Sequence, residues 1–130
     1  MQRRLLFVPM LLMLAAVSLH AQYVEIYRLD NLTKDLSEQQ VLASLATHLG
    51  ISADILRQQK AEYKLSFGEL YFANQLAKTS KTDFKSVMAE AKGASKTWGV
   101  IAKEKNADMG QITKDSHQLE DVLKKLKRSN

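Results

Sequence analysis

The chain has 130 residues, 25% of them charged, a formal net charge of +5 and no cysteine. Disulfides, thiol chemistry and the lipid anchor of a bacterial lipoprotein, which needs a cysteine at its cleavage site, are thereby excluded. The length suits one domain, and lysines interleaved with acids read as a solvated helical surface rather than a nucleic-acid footprint.

The first element is a candidate export signal over residues 1–21. Arg3 and Arg4 form a basic start, Leu5 to Leu19 is an uncharged run broken by Pro9, and small residues follow with a cut expected after Ala21 or, alternatively, after Ser18. About 20 apolar residues are needed to span a bilayer, so this run of about 15 fits a cleaved signal better than a retained anchor. The adjacent arginines raise the twin-arginine route, but the short basic start and strongly apolar run fit the general secretory route better. The expected location is therefore periplasmic or extracellular, with no stable transmembrane span after cleavage. A small exported domain without disulfides relies on core packing, a metal or a partner.

Residues 22–36 are expected to form a poorly patterned arm, because Val24, Ile26 and Tyr27 suggest a brief strand with no partner. From residue 37 to 130 the sequence predicts an all-α domain, a compact orthogonal bundle of about five to six short helices. Ser37 caps a run with Val41, Leu42, Leu45, Ala46 and Leu49 at helical spacing, stopped by Gly50. Ser52 caps the next, with Ile55, Leu56 and Tyr63 inward. Ser66 and Glu69 make a capping box for FGELYFANQLAK. Thr82 is expected to cap DFKSVMAEAK up to Gly93, Ser95 or Thr97 to start WGVIAKEK, and Asp108 to open a last run with Ile112, Leu119, Val122, Leu123 and Leu126 on one stripe.

The helices repeat imperfectly at an offset of about 31 residues. Leu45-Ala46 falls on Leu76-Ala77, Leu56 on Val87, Phe67-Gly68 on Trp98-Gly99, and Leu70 on Ile101. Residues 98–123 also match a helix-turn-helix pattern, with Ile101-Ala102, a turn near Asn106, and Ile112 on the following helix. DNA binding is the weakest reading, since an export signal precedes it and Asp108, Asp115 and Glu120 crowd the would-be recognition helix beside Lys114. No nucleic-acid partner is expected.

The export signal, the segment LSFGELYFANQLAKTSKTDF and the following KTWGVIAKE together resemble a group of small exported bacterial proteins of uncharacterised function. In that group an aromatic-Gly-(Glu/Val)-(Leu/Ile) step recurs twice. The resemblance covers roughly residues 50–115. This chain departs from it at Asn106, Ala94 and Ser95, where glycine is common. It implies an all-helical architecture and an envelope or extracellular setting, and it implies no catalytic residue.

Nothing in the spacing of residues points to an enzyme. Beyond the signal the histidines are His48 and His117, with no His-Glu-x-x-His or paired-carboxylate spacing, so no metal ligand, cofactor or catalytic residue is assigned. The glycines stand singly, without a phosphate-binding loop. The expected function is an exported, non-enzymatic binding or structural module with an unknown envelope partner. Tyr71 and Phe72 are its candidate partner surface, because adjacent residues cannot both face a core from one helical stripe. The alternative is association with an anionic membrane or polymer through Lys124, Lys125, Lys127 and Arg128, although cations also suit the carbonyl end of a helix.

Overall fold

A computed structural model describes residues 24–130, all of whose regular secondary structure is helical. The segment read as an export signal lies outside them. Helix α1 covers residues 24–33. It is followed by α2 (Glu38–Leu49), α3 (Ala53–Tyr63), α4 (Phe67–Thr79), α5 (Phe84–Met88), α6 (Trp98–Glu104) and α7 (Met109–Ser129), with a π-helical turn, Ala89–Gly93, continuing α5. No helix among the described residues is long and apolar enough to cross a membrane.

Helix starts follow the sequence closely, because each has a side chain that satisfies an otherwise unpaired amide. Ser37 with Gln40, and Ser66 with Glu69, form reciprocal capping boxes. Ser52, Thr97 and Asp108 accept from the amides of Ile55, Val100 and Gln111. Gly50 ends α2 in the left-handed conformation at φ 70°, and Asn106, at φ 52°, turns the chain between α6 and α7. One expected cap moves. Asp83, not Thr82, accepts from the Ser86 amide at 2.7 Å, whereas the Thr82 amide donates back to the Ala77 carbonyl at 2.9 Å. Thr82 is used to close α4.

Helix α4 occupies the centre, in contact with α2, α3, α5 and α7. Every residue from Leu70 to Ala77 is buried, as expected for a helix that is wrapped on all sides rather than laid on a core. Around it, Val41, Leu42, Leu45, Leu56, Val87, Ile101, Ile112, Leu119 and Leu123 complete the interior. Phe72 meets Trp98 edge to face with ring centroids 6.0 Å apart.

Residues 22–36 were expected to be an arm, and the structure corrects this for residues 24–36. Ile26, Leu29 and Leu36 are core residues, and Thr33 is buried among them with its hydroxyl donating to the Asp30 carbonyl at 3.0 Å. The stripe was hard to see because a threonine takes one of its places and Val24 and Tyr27 face outward. Helix α1 is fastened to the start of α4, where the Gly68 amide donates to Asp30 Oδ1 at 2.7 Å. Gly68 has to be glycine for that approach, since a Cβ there would run into the carbonyl oxygen of Ile26 and lie 2.9 Å from the Asp30 carboxylate. The negative charge of Asp30 also complements the amide end of α4.

Candidate functional site

The partner surface expected at Tyr71 and Phe72 is not on the surface. They are 1% and 2% exposed respectively. Adjacent residues do leave α4 in different directions, but this helix is surrounded, so both directions lead inward. Phe72 goes to Trp98, and Tyr71 lies against His48 with centroids 5.8 Å apart. The Tyr71 hydroxyl accepts a hydrogen bond from Gln75 Nε2 at 2.7 Å, and burial pushes its pKa well above the ordinary value. These aromatics hold the bundle together.

The outward apolar surface lies instead along the seam of α2 and α7. There, Gln40, Ala43, Ser44, Thr47 and His48 face Leu119, Val122 and Leu126 across a groove of about 550 Å³, a volume within the usual range for a ligand cleft. Helical spacing produces it: positions 40, 43, 44, 47 and 48 make one line along α2, and positions 119, 122 and 126 make another along α7. Leu119 forms the floor, fully buried, while Val122 remains 44% exposed. Two of the polar positions are less polar than they look. Ser44 Oγ and Thr47 Oγ1 donate to the carbonyls of Gln40 and Ala43, each at 3.0 Å, so their hydroxyls are already engaged. Gln40 and Asn130 exchange side-chain hydrogen bonds at 3.3 Å, tying α2 to the end of the chain.

The four basic residues near the end of α7, Lys124, Lys125, Lys127 and Arg128, do not form one group. Lys127 pairs with Asp35 at 2.7 Å, and this ammonium, by hydrogen bond and charge, holds the Asp35 carboxyl below its ordinary range. Lys124, Lys125 and Arg128 are exposed and have no ion pair among the described residues. At about 100° per residue, Lys124 and Arg128 lie roughly 160° round α7 from Leu126. Those two cations therefore lie on the face away from the groove, whereas Lys125, three residues from Val122 and about 60° round the helix, borders it.

On the flank of α7 that meets α1, three residues assigned no metal role in the sequence come together. His117 Nε2 is 3.2 Å from Glu25 Oε1, Ser116 Oγ donates to Glu25 Oε2 at 3.1 Å, and one ligand atom from each of Glu25, His117 and Glu120 lies within 4.8 Å of the others. Glu120 is 6% exposed, and its Oε1 has no hydrogen-bond partner. Burial first, and then the neighbouring Glu25 carboxylate, raise the Glu120 carboxyl above its ordinary range. The only trace of this in the sequence is the three-residue step from His117 to Glu120, which places both on one side of α7. Glu25 was hidden in the stretch read as an arm.

No family model, curated protein or solved structure matches this chain. A function must therefore be argued from the chain's own surfaces.

Proposed function

We propose that this is an exported, non-enzymatic helical binding module of the bacterial envelope or extracellular space, which receives an apolar stripe of a protein partner in the groove between α2 and α7. One observation carries the binding reading: Val122 is 44% exposed beside Leu126 in a groove whose neighbouring hydroxyls are engaged with their own helix. A concave seam lined mainly by apolar side chains is a place where a partner's side chains can be buried, and two helices with a half-filled seam accept a third by inserting side chains between the lines. The exported setting rests on residues 1–21, with Arg3 and Arg4 before an uncharged run.

A second reading is supported by the free cations. Lys124, Lys125 and Arg128 would draw the end of α7 to an anionic membrane or polymer, with Lys127 largely committed to Asp35. The two readings separate by mutation. Ala43→Glu with Val122→Glu should abolish partner retention from envelope extract and leave the thermal melt unchanged. Lys124→Glu with Arg128→Glu, both on the face away from the groove, should leave retention intact. The opposite pattern, with binding that weakens steeply with salt, would replace the groove by the anionic surface.

A further inference from the structure

We propose that Glu25, His117 and Glu120 form a zinc site that joins α1 to α7. The groups come from two helices brought together only by the fold, and they offer one imidazole nitrogen and two carboxylates whose ligand atoms all lie within 4.8 Å of one another. In a tetrahedral zinc site with bonds of about 2.0–2.2 Å, neighbouring ligand atoms stand roughly 3.3 Å apart. The 3.2 Å between His117 Nε2 and Glu25 Oε1 is already that spacing. Bringing separations of up to 4.8 Å to that spacing needs side-chain movement of up to about 1.5 Å.

The independent observation is Glu120. It is 6% exposed, directed into the cluster, and its Oε1 has no partner, an arrangement that costs free energy unless something binds there. Protein cations do not fill the need. Arg28 reaches Glu25 at 3.9 Å from an exposed position, and among the described residues no ion pair includes Glu120. A divalent ion would satisfy the orphaned oxygen and neutralise the two adjoining carboxylates together. Ser116, itself buried, holds the second oxygen of Glu25 by donating to it at 3.1 Å, the kind of support that orients a ligating carboxylate.

The donor set selects the ion. Calcium and magnesium take oxygen ligands in shells of six or more, whereas zinc accepts imidazole with carboxylates in a four-coordinate shell. Three protein ligands leave the fourth position to water or to a donor from outside, on the side where His117 is half exposed. Bound zinc would also staple the first helix to the longest one, which suits a domain that has no disulfide.

The test uses purified protein stripped with a chelator and titrated with Zn²⁺, with Co²⁺ as the visible reporter and Ca²⁺ and Mg²⁺ as comparisons. The wild type should take up one Zn²⁺, show Co²⁺ ligand-field absorption, and gain amide protection in residues 24–33. His117→Ala, Glu25→Gln and the isosteric Glu120→Gln should each weaken uptake at least about tenfold, while Glu62→Gln, at an exposed position on α3, should bind as the wild type does. The proposal fails if the wild type shows no saturable uptake. Uptake insensitive to His117→Ala, or Ca²⁺ bound as tightly as Zn²⁺, overturns it equally.

Discussion

Helices α4 and α7 meet opposite fates in the fold. Helix α4 is buried on every side from Leu70 to Ala77, including its polar residues Asn74 and Gln75, whereas α7 buries Ile112, Ser116, Leu119, Glu120 and Leu123 and leaves the rest half-buried or exposed. Enclosure leaves α4 to satisfy its polar groups internally, which it does except at Gln75 Oε1, buried without a partner. Asn74 Nδ2 donates to Gln59 Oε1 and to the Leu70 carbonyl, both at 2.8 Å, and Gln75 donates to Tyr71. Helix α7 can spend its outward faces on a groove, free cations and the Glu25 cluster. The enclosed helix sets stability, and the half-exposed one carries the candidate sites.

The largest test of that division is truncation. Leu70→Ala in α4 should cost about 2–5 kcal/mol in denaturant melts, as for a fully buried leucine, while Val122→Ala in α7 should change stability by no more than about 0.5 kcal/mol. Similar losses at both positions would erase the distinction.

Glycines sharpen it next. Gly68→Ala puts a methyl group against the Ile26 carbonyl and should cost about 1–3 kcal/mol, with faster amide exchange confined first to residues 24–33. Gly110→Ala meets only Asp108 Oδ1 at 3.4 Å and should be neutral or stabilising by up to about 1 kcal/mol.

The next test is the most specific. Tyr71→Phe leaves the Gln75 amide without its buried acceptor, for about 1–2 kcal/mol, and changes the alkaline limb of stability. The folded Tyr71 pKa is raised above its ordinary value of 10.0, so its contribution is complete below that pH and is lost as pH rises, when the unfolded chain ionises and the folded one resists. Melts from pH 9 to 11 should decline less steeply in the variant. An unchanged slope would mean that the hydroxyl is not enclosed.

These differences also show what the sequence can carry. Caps are local, and Ser37, Ser52, Ser66, Thr97 and Asp108 were all legible; Thr82 failed only because it closes one helix immediately before Asp83 opens another. The amphipathic stripe of α7 was legible at Ile112, Leu119 and Leu123, since one face of the helix meets water, but Val122, placed on the same stripe, is 44% exposed. Helix α4 defeated the same reasoning, because a stripe assumes an outside and Tyr71 and Phe72 have none. The groove needs α2 beside α7, and the cluster needs Glu25 beside His117, separated by 92 residues in sequence. No local pattern announces such neighbours.

Hydroxyl-radical footprinting read by mass spectrometry tests the central division most directly, with Tyr27, 67% exposed, as an internal reference. Tyr71 and Phe72 should be protected at least about tenfold relative to the unfolded chain, while Tyr27 and Val122 react nearly as they do when unfolded. Tyr71 or Phe72 reacting as readily as Tyr27 would return the binding surface to α4 and contradict the account.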